Sequence, residues 1–588
     1  MEEPADAFSR RRAFLWNLFS GEGGFFFLYD RKFHFLSYKK DAPLRIQASG
    51  RRNPVLQVKD LTIVHKKDLR EIAKGFRLCL NPGDKAVIVG EEGNGKSTLL
   101  KWIYAPGLIE GYAEAAGDRI CEGERLGYLP QELPEREREK TVYEYFSAQP
   151  AFWEQTPKEL AVLAGQLGLE PEFFYGDQRM ESLSGGEKVK AQMASLLLGQ
   201  PTALLLDEPS NDIDIETLEW LEELIQNWKG PVLFVSHDET LIERTANVIV
   251  HMEQLKRKTE SRCSVVRLPY REYLKRRQES MENQEQQAEN ERREEKKRQE
   301  KFRRMQQKVE NELRSVSRQD PHGGYLLKKK MKAVKSLERR YERESREMTE
   351  LPETEEAIFF KLGEGVKMPA GKTVLELETL ELRAPGDGGI LARNVSLRVR
   401  GGQKVCIIGK NGAGKTTLIR WIAGQLLARD DIRAAYMPQN YEEMLDRDET
   451  PVDYLDRTGE KEERTRIRTY LGSLKFTAGE MDHPIRELSG GQKAKVLLLK
   501  MSLSGADVLI LDEPTRNFSP LSGPVIRRML KEYKGAVISV SHDRKYIEEV
   551  CDAVFRLTPE GLVPDAGEIA ATAPGTWRRR QPARKDIG

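Results

Sequence analysis

No stretch of this 588-residue chain is apolar for the roughly 18 residues that would read as a membrane-spanning helix, so no membrane partner is expected. Cysteine is scarce. Cys79, Cys121, Cys263, Cys406 and Cys551 are scattered, without the paired spacing of a zinc site or a disulfide framework. The expectation is reduced thiols in a cytoplasmic protein. Net charge is nearly absent as well, since 96 Lys and Arg against 94 Asp and Glu leave +2. That sends the question of partners to local charge rather than to the whole chain. Near the start, residues 13–19 and 25–29 are apolar and follow Arg10-Arg11-Arg12, but Asn17 and Glu22 interrupt them and no small-residue cleavage site follows. They do not read as a secretory signal. Residues 1–53 match nothing later in the chain and form an extension, with disorder and an upstream start-site artefact both left open.

What the chain does have is one series of motifs written twice. The first runs Gly90-Glu91-Glu92-Gly93-Asn94-Gly95-Lys96-Ser97-Thr98, then Ser184-Gly185-Gly186, Asp207-Glu208 and Ser236-His237-Asp238. The second runs Gly409-Lys410-Asn411-Gly412-Ala413-Gly414-Lys415-Thr416-Thr417, then Ser489-Gly490-Gly491, Asp512-Glu513 and Ser541-His542-Asp543. Ser184 and Ser489, Asp207 and Asp512, and His237 and His542 are each 305 positions apart. A constant offset through three motifs means one fold repeated. The offset is 319 at Lys96 and Lys415 and 308 at Gln131 and Gln439, so the first half is 11 residues longer before its glutamine. β-Branched runs lead into each glycine loop and helical patterns leave it, which predicts an α/β fold with a parallel sheet covered on both faces.

The residue types suit phosphate chemistry. Glycines let backbone N–H groups wrap phosphates at a helix N-terminus, where the dipole favours negative charge. Lys96 and Lys415 would reach the β- and γ-phosphates, and Ser97 and Thr416 would hold Mg²⁺. Asp207 and Asp512 fit the outer coordination of that metal, and Gln131 and Gln439 the position that senses metal and attacking water. Glu208 and Glu513 fit the group that polarises the water, and His237 and His542 the γ-phosphate contact. Phosphoryl transfer needs mainly positioning and charge stabilisation. Both glutamates and both histidines are present, so neither site is expected to be degenerate.

The ordered set resembles the ATP-binding-cassette superfamily. The resemblance implies two P-loop domains that pair head to tail and sandwich ATP between one domain's glycine loop and the other's Leu-Ser-Gly-Gly. One site would combine residues 90–98 and Glu208 with Ser489, Gly490 and Gly491. The other would combine residues 409–417 and Glu513 with Ser184, Gly185 and Gly186. The usual adenine-stacking aromatic has no clear counterpart; His65 is a candidate in the first half and none is assigned in the second.

The domains are placed at 54–258 and 353–562, with a linker at 259–352 and a tail at 563–588. From about 270 to 350 glycine and proline are nearly absent except at Asp320-Pro321-His322-Gly323-Gly324. Met305, Val309, Leu313 and Val316 form one apolar stripe before that break, and Leu327, Met331, Val334, Leu337 and Tyr341 another after it. Two stripes around one breaker predict an antiparallel helical hairpin. Its first helix, about 45 residues, would reach on the order of 65 Å. Residues 301–340 carry 13 Lys and Arg against 4 Asp and Glu. Lys328, Lys329, Lys330 and Lys332 lie just past the turn, beside apolar Tyr325, Leu326 and Leu327. A rigid arm with a basic far end suits a nucleic-acid backbone.

Tandem cassettes joined by such a linker, with Glu208-Pro209-Ser210-Asn211 and Glu513-Pro514-Thr515-Arg516-Asn517, resemble the ABC-F family of ribosome-associated ATPases. The resemblance covers residues from about 55 to 557. It implies an ATPase using ATP and Mg²⁺, a monomer whose cassettes pair within the chain, and a 70S ribosome partner contacted through rRNA and P-site tRNA from the exit site. The interval between Gln131 and Ser184 exceeds its counterpart by only 3 residues, so the arm of housekeeping members is expected to be absent or vestigial. The long linker is closer to the antibiotic-resistance branch. The expected function is therefore ribosomal protection, with general relief of stalled ribosomes as the alternative within the family. The ATPase subunit of a membrane transporter is the alternative outside it, and such a subunit needs no basic hairpin between its cassettes.

Overall fold

In the computed structural model, residues 56–121, 123–255, 260–315, 321–346, 366, 368–386 and 388–565 are described. The expected N-terminal extension and nearly all of the C-terminal tail lie outside them, as do residues 316–320 at the hairpin turn.

The apolar runs become central strands because both faces of the sheet are covered. In the first cassette β1 (Leu56–His65), β2 (Glu71–Leu80) and β4 (Ala113–Ile120) make an antiparallel sheet in the order β2-β1-β4. The main sheet holds β3 (Lys85–Gly90), β5 (Leu126–Leu129), β6 (Ala203–Asp207), β7 (Val232–Val235), β8 (Val248–Leu255) and β9 (Glu260–Val266), in the order β5-β6-β7-β3-β8-β9. Every residue of β3, β6 and β7 is buried. Four helices matter below: α1 (Lys96–Tyr104), α2 (Gly185–Leu198), α3 (Ile215–Asn227) and α4 (Glu239–Thr245).

The linker is α5 (Tyr270–Ser315, 46 residues) and α6 (Pro321–Arg346, 26 residues). The second cassette repeats the first. Its antiparallel pair is β10 (Thr373–Arg383) with β11 (Ile390–Arg400). Its main sheet has β12 (Lys404–Ile408), β13 (Ala434–Met437), β14 (Val508–Asp512), β15 (Ala536–Val540), β16 (Ala553–Thr558) and β17 (Gly561–Pro564), in the order β13-β14-β15-β12-β16-β17. Its helices are α7 (Lys415–Leu427), α8 (Gly490–Ser504), α9 (Gly523–Glu532) and α10 (Arg544–Val550). The strand order is that of the first cassette, position for position. The first half is longer before its glutamine because it adds β4 to the antiparallel sheet.

Three sequence expectations need correction. The first cassette does not end at 258, because β9 pairs antiparallel with β8 from Ile249↔Val266 to Leu255↔Glu260 and belongs to its sheet. The second likewise runs past 562, since β17 pairs with β16 through Pro564. Gly323 and Gly324 are not the break itself; α6 starts at Pro321 and contains both. Proline fits there because the first helical position needs no N–H donor.

Of the two apolar stripes, Val316 and the side chains of Leu313, Leu327 and Leu337 lie outside the described residues. Val309 and Val334 are buried, and Phe302 meets Tyr341 edge to face at 6.2 Å. Met305 instead lies 45% exposed, one position off the seam. Lys330 pairs with Glu312 across the helices at 3.7 Å. At its root α5 buries Tyr270 and Tyr273 in the core of the first cassette. Arg271 adds an ion pair to Glu243 of α4 at 3.0 Å.

Candidate active sites at the cassette interface

Parallel neighbours β14, β15 and β12 end side by side, so the loops that leave them converge. β12 delivers the loop 409–416, β14 delivers Asp512 and Glu513, and β15 delivers His542. Opposite them the first cassette presents α2, whose N-cap Ser184 and Glu187 form a reciprocal capping box. Ser184, Gly185, Asn411, Gly412, Gly414, Lys415, Thr416, Thr417, Gln439, Asp512, Glu513 and His542 line one cavity of about 740 Å³. This volume suits a small-molecule site; we call it site II. The head-to-tail arrangement expected from the motifs is present in the geometry.

Lys415 is buried and donates to its own loop at Gly409 O (2.8 Å) and Lys410 O (2.9 Å). Burial lowers its pKa. Burial also lifts the Asp512 carboxyl to about 6. Both Asp512 oxygens are buried without a hydrogen-bond partner. Glu513 is pushed up to about 8 by burial and then by the neighbouring Asp512 charge. His542 Nε2 lies 3.7 Å from Glu513 Oε1, and burial followed by Lys415 lowers the histidine to about 4.

Site I is built by the first P-loop, Glu208 and His237 against α8. Ser97 Oγ donates to Asp207 Oδ1 at 2.8 Å, and burial raises Asp207 to about 6. His237 Nε2 lies 2.9 Å from Glu208 Oε1, while Nδ1 lies 2.6 Å from Phe518 O of the other cassette. Each ring nitrogen therefore faces an acceptor. Burial alone would raise the Glu208 carboxyl, but His237 and then Lys96 outweigh it and hold it below its ordinary value. Lys96 donates to Gly90 O at 3.1 Å and Glu91 O at 3.2 Å. Across the interface, Glu92 Oε2 accepts from Ser489 Oγ at 3.3 Å and from Gly491 N. Glu91 pairs with Lys475 of the second cassette. The gap between this loop and α8 holds only about 30 Å³.

The remaining candidates differ in their surroundings. Gln439 lines site II and donates to Asp212 Oδ1 of the first cassette at 3.4 Å. Gln131, whose own P-loop belongs to site I, is exposed. The Asn94 side chain is committed to Met252 O at 3.1 Å, which anchors the loop to β8 and leaves only its backbone for phosphate. His65 pairs with Asp68 at 2.7 Å and tilts against Tyr112. In site II the wall beside the loop is Ala384, Pro385 and Leu391, apolar but not aromatic. Leu391 also explains Gly414, which has φ +95° and whose Cβ would lie 2.9 Å from the leucine. Ile72 does the same to Gly95, at φ +85° and 2.3 Å.

The sequence reading assigned no contacts between the cassettes to the residues that join them, and it missed the charge network behind the sites. Asp212 accepts Arg516 at 2.7 Å, and its carbonyl accepts Asn411 Nδ2 at 2.6 Å. Behind the sites a charge network is buried. Arg527 of α9 reaches Glu239 of α4 with two contacts, at 3.0 and 3.2 Å, both side chains 4% exposed. Arg544 pairs with Glu222 of α3 and lies 3.4 Å from Asp238, and Lys545 lies 3.0 Å from Glu239. The signal was available: Glu222 and Arg527, like Glu239 and Arg544, are 305 positions apart.

A profile described as ABC transporter matches residues 73–211 and 392–516, one segment in each cassette. The ATP-binding protein Uup of Escherichia coli is 29% identical over 80% of this chain and 75% of its own length. The ribosome protection protein VmlR of Bacillus subtilis is 27% identical over 88% of each chain. These matches support an ABC-F ATPase. Its cassettes bind ATP and hydrolyse it to ADP and phosphate. An archaeal ribosome recycling factor, aABCE1, shares the fold at TM-score 0.52 and 19% identity, over 86% of this chain and 90% of that one. Among the described residues no helix is long and apolar enough to cross a membrane.

Proposed function

We propose that this ABC-F ATPase is a cytoplasmic ribosome-protection factor that binds the 70S ribosome in the exit site when ATP closes its cassettes. Its hairpin then remodels the P-site tRNA and peptidyl-transferase region against antibiotics. The observation that carries this reading is the end of the hairpin. α5 alone spans roughly 70 Å at 1.5 Å per residue. At its far end Tyr325 is 67% and Leu326 46% exposed, with Lys329, Lys330 and Lys332 exposed beside them. The side chains of Leu327 and Lys328 lie outside the described residues. Apolar groups held away from any core, amid cations, fit a surface of bases and phosphates. The similarity to VmlR, even across both chains, supports the same reading.

The same residues suit Mg²⁺ with the nucleotide. Asp512 offers two buried oxygens without a donor, and Asp207 holds Ser97 in place. Ser97 and Asp207 would hold the ion in site I, and Thr416 and Asp512 in site II. There it would neutralise phosphate charge. Glu208 and Glu513 then orient water, and the lysines and α-helical N-termini bind the phosphates. Expression in a susceptible bacterium, scored against several ribosomal antibiotic classes, tests the proposal. Raised inhibitory concentrations confined to drugs of the peptidyl-transferase centre are expected. An unchanged profile with relief of stalled translation would favour the general factor instead.

A further inference from the structure

Glu92 and Asn411 hold the same place in the two P-loops. Asn411 donates to Asp212 O across the interface and leaves site II open as a cavity of about 740 Å³. Glu92 does something else. Its carboxylate accepts from Ser489 Oγ at 3.3 Å and from Gly491 N at the start of α8, a 15-residue helix. Those donors form the anion site that faces the P-loop. The counterpart of Ser489, Ser184, lines the open cavity of site II together with Gly185, beside Gly186, the counterpart of Gly491. In site I the carboxylate fills that place, and the gap left between Glu92 and the start of α8 is only about 30 Å³.

The neighbouring residues reinforce the difference. Ser184 donates its hydroxyl proton to its own Glu187 at 2.7 Å. Ser489 has Gln492 at the equivalent position, so its proton is directed to Glu92. Glu91 is held by Lys475 of the opposite cassette, whereas its counterpart Lys410 pairs with Glu216 at 3.2 Å. The loop of site I thus brings two carboxylates to the interface, and that of site II brings an amine and an amide.

The geometry points to Glu92 as the residue that sets nucleotide preference in site I. Its carboxylate stands in for a terminal phosphate, so the site accepts a nucleoside diphosphate beside it and takes a triphosphate only by expelling it. A carboxylate and a γ-phosphate cannot share one set of donors, because like charges at that separation repel strongly in a desolvated interface. Site II carries no such competitor and binds the triphosphate without rearrangement. The two sites therefore differ in their discrimination between ATP and ADP, although both hold the full motif set.

Calorimetric titration of single-site proteins tests this, in a Glu208→Gln, Glu513→Gln background that suppresses hydrolysis. Lys415→Ala leaves site I to be read alone, and Lys96→Ala leaves site II. The ratio of the Kd for ATP to that for ADP is expected to be at least about tenfold higher in site I, a difference of about 1.4 kcal/mol. Glu92→Asn, which installs the residue of the second loop, should bring that ratio to the site II value by tightening ATP and leaving ADP nearly unchanged. Glu92→Gln keeps the size and removes the charge, and it should do most of the same. Equal ratios in the two single-site proteins would overturn the inference. So would a Glu92→Asn effect of the same size on both nucleotides, or a Glu92→Gln protein that behaves like the parent.

Discussion

Glu208 and Glu513 both sit in left-handed backbone, at φ 51° and 55°, directly after a buried strand. That conformation is uncommon for a residue with a side chain and is held only where its surroundings enforce it. Here the Glu208 amide is tied to Val235 O at 3.0 Å and the Glu513 amide to Val540 O at 2.9 Å. The bend turns each carboxylate off the sheet and toward its histidine. Replacing both with Gln should keep ATP binding and lower turnover by at least about 100-fold, the usual scale for losing a positioned base. Steady-state phosphate release measures it. Turnover at the parental rate would show that the pair is not catalytic.

At this scale, residues that act through type and order were legible in the sequence, and residues that act through contact were not. Lys96, Ser97, Asp207 and their counterparts could be found because phosphate chemistry demands those types in that order. Glu92 and Asn94 lie inside the same motif, yet their roles depend on what faces them, namely α8 and Met252. Gln131 and Gln439 read alike and follow equivalent strands, yet Gln131 is exposed to solvent while Gln439 donates to Asp212 of the opposite cassette.

Among the elements, the hairpin was legible because its composition permits little else. Its seam was not, since a stripe of apolar residues does not say which of them face the partner helix. Met305 and Val309 are one turn apart, and only Val309 is buried. Charge on the outer face gives a test. Lys329, Lys330 and Lys332 are exposed and lie within one turn of α6. Changing these three to Gln should weaken ATP-dependent co-sedimentation with ribosomes. It should also flatten the salt dependence by about one unit of log–log slope for each phosphate no longer neutralised. An unchanged slope would mean that the face is merely solvated.

The exposed pair Tyr325 and Leu326 belongs to the same element but makes a different prediction. Because neither packs on a cassette, truncating both to Ala should leave ATPase activity within about twofold and thermal stability within ~0.5 kcal/mol, as for other exposed substitutions. Antibiotic protection should be lost. ATPase loss in parallel would show the tip to be structural.

The whole molecule depends on the cassettes choosing each other. In a closed pair of identical halves, positions 222 and 239 of one partner would face the same residue types in the other. Here the first cassette carries Glu at both and the second carries Arg527 and Arg544. Breaking a buried pair costs about 3–5 kcal/mol, so reversing one side should separate the halves. The double variants Glu222→Arg, Glu239→Arg and Arg527→Glu, Arg544→Glu are each expected to lose most ATPase activity. Combining all four changes in one chain should restore it. Mixing the two inactive double variants should restore it as well, with a dimeric species visible by light scattering. Inactivity of the mixture and of the quadruple variant alike would show that these charges do not select the pairing.

The exchanged charges also bear on the history of a duplicated chain. Two copies of one ancestral half would have met as equals, and either could have left to pair with a stranger. Once acids gathered on one copy and bases on the other, neither could serve as its own mate. From then on the loss of either half would silence both, and recombination between the repeats would yield a protein that repels itself.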